Sequence, residues 1–404
     1  MMATERFSLK DHLFHAEKVY DLSASILAVH PTFPKDSFDT AVLEAFPELE
    51  LKQRIAHIAS CWKDAFTTSS SEEDEVLSAW SYPASLDVLL RSLPPPLDPT
   101  KTDDDFGDFI YAPYSHYVAM YGCTEEEHLE LSLDALREIT QRFSAEFAIR
   151  DFLNAYPTET MAFLEDCATH DNYHVRRLAS EGSRPKLPWG VKLTAIDYRD
   201  PVSRILARLT NDPTRYVTRS VANHLNDVSK IDPELVLETL QSWKESDASN
   251  TAETEYICQH ALRTLVKQKH TGALRLLGFS SPRIRGVRFM SDTPSVVLGQ
   301  AVEFRLQFKS LSDQSLVIDY TMEFATKAAG ERRTTTKRPS KVFKWKKLDV
   351  TKGQAVTMQK RHPMRIMTTR KLVPGTHSVT LQINGESMAS FRFQLVDSPA
   401  AEED

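Results

Sequence analysis

The heptapeptide Tyr173-His174-Val175-Arg176-Arg177-Leu178-Ala179 returns as Arg215-Tyr216-Val217-Thr218-Arg219-Ser220-Val221, with Val175 falling on Val217, 42 residues later. A weaker copy, Tyr256-Ile257-Cys258-Gln259-His260-Ala261, follows the second after 40 residues. Periods near 40 in helical sequence mark HEAT-like repeats, paired helices that stack into a curved solenoid with a concave binding face. The helical spacing extends outward from these copies. Leu9, Leu13, Val19, Leu22, Ile26 and Leu27 recur at helical intervals, as do Leu49, Leu51, Ile55 and Ile58. The pattern resumes from Glu125 to about Leu276, after polar or proline-rich breaks at 67–75 and 94–99.

Beyond Phe279-Ser280-Ser281-Pro282 the period changes. Val296–Leu298, Val302–Phe308, Leu316–Tyr320, Val356–Met358, His377–Ile383 and Ser390–Leu395 alternate or are β-branched, with turns at Pro374-Gly375 and Asn384-Gly385. Six or seven short strands in this space predict an immunoglobulin-like sandwich. The fold expected is therefore mostly α: a HEAT-like α-solenoid over 1–280, an all-β Ig-like sandwich over 283–397, and an acidic tail over 398–404.

Composition narrows the function classes. With 404 residues, two or three domains are expected, and 41% hydrophobic and 26% charged is ordinary for a globular chain. No run of about 18 apolar residues suggests a membrane span, and the start, MMATERFSLKDHLF, lacks the apolar core of a secretory signal. Cys61, Cys123, Cys167 and Cys258 are scattered without a CxxC pair, which argues against a zinc site or a disulfide framework. No GxGxxG or P-loop occurs among the 12 glycines. No metal and no cofactor is expected. The net charge of −7 conceals a split: residues 281–404 carry 21 Lys and Arg against 12 Asp and Glu, a net of +9, which leaves −16 on residues 1–280. Acidic runs at Glu72–Glu75, Asp103–Asp105 and Glu125–Glu127 read as solvated loops and helix starts. The basic third either meets a polyanion or is simply a basic surface.

The repeat register locates candidate chemistry. Glu181 corresponds to Asn223, and Asp227 lies one helical turn beyond Asn223 on the same face. Glu146 sits in an earlier segment, Ser144-Ala145-Glu146-Phe147-Ala148-Ile149-Arg150. Carboxylates on helices are usually solvated surface. Here each has small or apolar neighbours, so the three could share one concavity. The two prolines of Ser183-Arg184-Pro185-Lys186-Leu187-Pro188-Trp189-Gly190 make an ordered loop between repeats. Trp189 is either a core anchor or a platform for a sugar or base. Arg176, Arg177, Arg184 and Lys186 around it suit phosphate contacts at the rim of an acidic centre.

The run Arg177-Leu178-Ala179-Ser180-Glu181-Gly182-Ser183-Arg184-Pro185-Lys186-Leu187-Pro188-Trp189 closely resembles the signature of the AlkC branch of the AlkC/AlkD DNA alkylation-repair glycosylases. Phe143–Arg150, Ser220–Asp227 and His260–Leu265 resemble its other blocks in the right order, and the resemblance runs from about Phe7 to Leu395. It implies HEAT-like repeats wrapping double-stranded alkylated DNA, with the Ig-like domain closing the clamp. It also implies base excision repair by hydrolysis of the N-glycosidic bond of 3-methyladenine and 3-methylcytosine, without base flipping. By motif position Glu146, Glu181 and Asp227 match the family's acids and Trp189 its tryptophan; Arg219 and Arg263, with Lys341 and Lys344 of the β region, join the DNA contacts. Thr218 departs from the pattern where the companion repeat has Arg176. No aromatic cluster marks a base pocket near the acids. The chain is expected to act as a monomer away from membranes, in the cytoplasm of a bacterium or the nucleus of a eukaryote. The competing class is a non-catalytic HEAT scaffold that binds damaged DNA or a protein.

Overall fold

A computed structural model describes residues 8–68, 81–98, 100, 107–246, 251–326, 338–365 and 372–397. The acidic runs Glu72–Glu75 and Asp103–Asp105, the basic Arg332, Arg333, Lys337, Arg370 and Lys371, and the tail 398–404 lie outside them. The helices are α1 (Leu9–Leu13), α2 (Ala16–Val29), α3 (Lys35–Ala45), α4 (Leu51–Thr68), α5 (Tyr82–Arg91), α6 (Ala112–Gly122), α7 (Leu129–Ile139), α8 (Ile149–Ala155), α9 (Pro157–Cys167), α10 (Tyr173–Gly182), α11 (Arg199–Arg204), α12 (Arg215–Val228), α13 (Pro233–Glu245), α14 (Thr251–Ala261), α15 (Arg263–Lys267) and α16 (Thr271–Leu276). No helix among the described residues is long and apolar enough to cross a membrane.

The chain forms two compact units, Met1–Asp232 with Ser242–Ala261, and Pro233–Gln241 with Leu262–Asp404. Helices α15 and α16, which periodicity assigns to the solenoid, thus belong to the second unit.

In the first unit the three sequence copies are α10, α12 and α14, packed side by side. Their contact surface is built from buried apolar residues, among them Val175, Leu178, Val217, Val221 and Ile257. Between α10 and α12 the chains approach closely enough for Ser180 Oγ to donate to Ser220 Oγ at 2.7 Å. Each repeat is also tied to the next by charge. Arg176 reaches Asp212 through Nε at 2.6 Å, and Arg215 reaches Glu253 through Nε at 3.0 Å. At the Thr218 departure, its hydroxyl donates to Glu253 at 2.7 Å, so the threonine joins the same tie. The earlier helices gather around buried Trp62, whose ring meets Tyr114 at 4.8 Å between centroids.

In the second unit a sheet of β1 (Ile284–Ser291), β3 (Ala301–Ser310) and β6 (Ala355–Pro363) runs in the order β1-β3-β6. The other sheet holds β2 (Ser295–Val297), β8 (Glu386–Val396), β7 (Gly375–Ile383), β4 (Gln314–Glu323) and β5 (Ser340–Val350), in that order. Every second residue of β3 from Val302 to Ser310 is buried, the period of a strand with one face in a core. Phe304, Leu306, Ile318, Tyr320, Leu381 and Phe393 fill that core. Asn384 and Gly385 both take positive φ, 48° and 82°, as a two-residue hairpin turn between β7 and β8 requires.

Candidate active site

The three acids converge, and arginines join them. Glu146 Oε2 accepts from Arg177 Nη1 at 2.8 Å and from Ser144 Oγ at 2.8 Å. Arg177 Nη2 lies 3.7 Å from Glu181 Oε2. Glu181 Oε1 accepts from Arg184, and Oε2 accepts from Ser220 Oγ at 2.6 Å. Arg184 continues to Asp227 Oδ2, with Nε at 2.9 Å and Nη2 at 2.8 Å. Asp227 Oδ1 accepts from Lys230 at 2.9 Å. The line Glu146–Arg177–Glu181–Arg184–Asp227 therefore runs unbroken from the segment before α8, across α10, to α12.

Glu181 and Asp227 are only 4% and 2% exposed, further from solvent than their small and apolar neighbours alone suggested. A carboxylate buried this far requires a charged partner, and here each has one. Burial by itself raises the Glu181 carboxyl, but Arg177, Arg184 and the Ser220 hydroxyl outweigh it and hold the group below the ordinary glutamate range. Burial likewise works against the charge of Arg177, and Glu146 and Glu181 overcome it. The rim arginines of the sequence reading thus divide differently. Arg177 and Arg184 belong to the acid line itself. Arg176 bonds to Asp212 and to the carbonyls of His170 and Asp171, so its charge links repeats. Lys186 is exposed; Arg219 and, in the second unit, Arg263 are half-buried.

The loop after α10 is fastened by Arg150, a side chain that the sequence offers no reason to single out. Its guanidinium is buried and donates to the carbonyls of Gly182 (2.8 Å), Arg184 (2.7 Å) and Val191 (2.7 Å). Burial and the neighbouring Arg184 pull its pKa down to about 10. At the loop's end Trp189 has φ 68° and is 59% exposed. A bulky residue in the left-handed region is an outlier held by its surroundings. Lys52 does the holding, donating to the Trp189 carbonyl at 2.8 Å with Nζ 5.8 Å from the centre of the ring. Trp189 is therefore exposed and not a core anchor.

Phe109, Phe143, Phe147 and Trp189, drawn from three distant stretches, line one pocket of about 200 Å³ with His116 and Asp151. The sequence reading found no aromatic cluster here; the structure assembles one at the segment that carries Glu146. In the second unit Lys341 and Lys344 are exposed on β5, an edge strand.

The first unit is thus a stack of HEAT-like repeats that carries an arginine-bridged line of acids, and the second is an Ig-like sandwich. Residues 286–397 match the family model of the C-terminal Ig-like domain of the uncharacterised protein YhaZ. The Bacillus subtilis (strain 168) YhaZ protein is 33% identical over 386 residues, spanning 95% of this chain and 98% of its own. The solved structure of Pseudomonas fluorescens alkylpurine DNA glycosylase AlkC, bound to DNA containing an abasic site analogue, superposes with a TM-score of 0.77 at 31% identity. That match covers 96% of this chain and all of the other. The chain belongs to the AlkC/YhaZ family.

Proposed function

We propose that the protein is a DNA glycosylase of base excision repair that hydrolyses the N-glycosidic bond of cationic N3-alkylated bases, 3-methyladenine and 3-methylcytosine, in double-stranded DNA. The observation that carries this reading is the line of three carboxylates, Glu146, Glu181 and Asp227, beside an exposed Trp189. An N3-alkylated base is already positive and departs neutral, so it requires no general acid. The barrier lies in the deoxyribose, which passes through an oxocarbenium-like state. Carboxylates near that sugar stabilise its developing charge, and one of them takes the proton of the attacking water.

The partners of each oxygen suggest the division of labour. Both Glu181 oxygens and both Asp227 oxygens are engaged. Glu146 uses Oε2 for both its bonds, leaving Oε1 without a hydrogen-bond partner among the described residues. Glu146 is then the base toward water, and Glu181 and Asp227 set the field. DNA phosphates compete for Arg184, and its withdrawal unmasks Glu181 and Asp227 as the sugar arrives. The lesion is reached in a bent duplex without extrusion of the base, and the strand is left abasic but unbroken. Lys186, Arg219 and Arg263 contact the DNA backbone, as do Lys341 and Lys344. The protein acts without a cofactor, as a monomer, wherever the genome is held.

The complete neutralisation of Glu181 and Asp227 favours one second reading, a DNA-binding scaffold in which these acids only cement the repeats. Chromatography of bases freed from methylated duplex DNA separates the two. Release of 3-methyladenine that is lost in Glu146→Gln and in Asp227→Asn, with DNA affinity kept, supports the enzyme. Binding of the same DNA without release overturns it.

A further inference from the structure

The pocket at Trp189 is lined by two polar side chains that have no hydrogen-bond or ion-pair partner among the described residues, although the charge of Arg150 acts on one of them, Asp151. His116 on α6 and Asp151 on α8 both line it, and neither makes a hydrogen bond or ion pair through its side chain to any described residue. The other polar groups of the lining are engaged: Ser115 Oγ donates to the Ala112 carbonyl at 3.1 Å, and Lys52 is committed to Trp189. Half-buried polar groups normally find partners. Here burial pushes the Asp151 carboxyl up and the His116 imidazole down, each toward its neutral form. Around them stand the rings of Phe109, Phe143, Phe147 and Trp189.

At about 200 Å³ the pocket is smaller than the roughly 300–1,000 Å³ that holds a drug-sized ligand, so its occupant is small. Aromatic walls favour a flat ring system. A carboxyl lacking a donor calls for an N–H and disfavours an anion. An imidazole beside it can meet a ring nitrogen in either tautomer. We propose that this pocket binds an amino-bearing heteroaromatic base of adenine type, with its exocyclic amine on Asp151, a ring nitrogen at His116 and its face against Trp189. Phe147 follows Glu146 directly, and Trp189 stands in the loop that follows α10, the helix that carries Glu181, so the pocket is built from the chain segments next to the acid line. The glycosylase reading supplies the source of the base, the excised product on its way out; the pocket's chemistry stands without that reading.

The test titrates free 3-methyladenine and adenine into the full chain by calorimetry, in the wild type, Glu181→Gln and Asp151→Leu. Saturable binding is expected in the first two and at least tenfold weaker binding in the third. Because Asp151→Leu could disturb α8, 6-dimethylaminopurine, which lacks the amine hydrogens, is titrated into the wild type and is also expected to bind at least tenfold more weakly. Failure of both free bases to bind, or binding indifferent to Asp151→Leu and to the dimethyl analogue, overturns the proposal. The Glu181→Gln arm needs no turnover, so loss of glycosylase activity and loss of the pocket are read separately.

Discussion

Arg184 grips Asp227 with two nitrogens, Nε and Nη2, both within 3 Å of one carboxylate oxygen, although the residues lie 43 positions apart on successive repeats. The same guanidinium also meets Glu181. One side chain thus neutralises two buried acids. Removing one partner of a buried ion pair typically costs about 3–5 kcal/mol because it strands the other charge. Arg184→Ala leaves Glu181 to Arg177 and Ser220 and leaves Asp227 to Lys230, so a stability loss of about 3 kcal/mol, the lower end of that range, is expected in urea unfolding. A loss under about 1 kcal/mol means that the acids are solvated in solution.

Acid sensitivity follows from His224 and Glu181. His224 is fully buried on α12, with Nδ1 2.9 Å from the Ser180 carbonyl and Nε2 without a partner. Burial depresses its pKa from 6.5 to about 4. Below pH 6.5 the unfolded chain takes up a proton that the folded chain refuses. Stability is therefore fully present above 6.5 and falls as pH drops toward 4, by about 3 kcal/mol in all. Glu181, held below its ordinary 4.5, contributes stability above that value and loses it as pH falls through the lowered one. Melting temperatures from pH 8 to 4 are expected to decline, and His224→Gln to flatten the upper part of that decline.

What could be read in advance, and what could not, has a physical pattern. The copies around Val175 and Val217 were legible because α10 and α12 bury the same helix face. Strands such as β3 were legible from strict alternation. Two strands were not. In β1, Arg285, Gly286 and Arg288 interrupt the apolar sequence, and in β5 Lys341, Lys344, Lys346 and Lys347 swamp it. The repeat register could place the three acids in one concavity, and their small and apolar neighbours pointed away from full exposure, but the arginines that neutralise them are chosen in space. Arg176 looked like a phosphate ligand because Asp212, 36 residues away, is invisible as its partner in one dimension. The aromatic pocket is built by stretches as far apart as Leu51 and Val191, and no local pattern announces it.

Gly190 tests the fastening of the Trp189 loop. A Cβ at this position would lie 2.9 Å from Arg150 Nε and 3.0 Å from its Cδ. Arg150 is buried and already committed to three carbonyls, so it has little room to yield. Gly190→Ala is expected to push Arg150 off the Val191 carbonyl, release Trp189 from its left-handed conformation and cost about 1–3 kcal/mol, the range for overpacking. Base release from methylated DNA should fall with it, and Trp189→Ala should lower release with a smaller change in stability. Equal melting temperatures for Gly190→Ala and wild type count against the fastening.

The basic edge strand offers two physical explanations for the same lysines. Lysines on an exposed edge prevent strand-to-strand aggregation, and lysines facing a duplex neutralise phosphates. Lys341 and Lys344 are exposed on β5, the terminal strand of its sheet, and Lys344 also acts on the half-buried Asp319 of β4. The two explanations part on salt. Each phosphate contact adds about 0.9 to the slope of log affinity against log salt concentration. If both lysines touch DNA, Lys341→Glu with Lys344→Glu should lower that slope by about 2, weaken binding most at low salt, and do so equally on damaged and undamaged duplexes, since phosphate contacts carry no sequence information. If they only guard the edge, the slope stays as it was, and the double variant remains soluble because glutamate guards an edge as well as lysine does. Fluorescence anisotropy between 50 and 200 mM salt covers the range in which the two outcomes diverge.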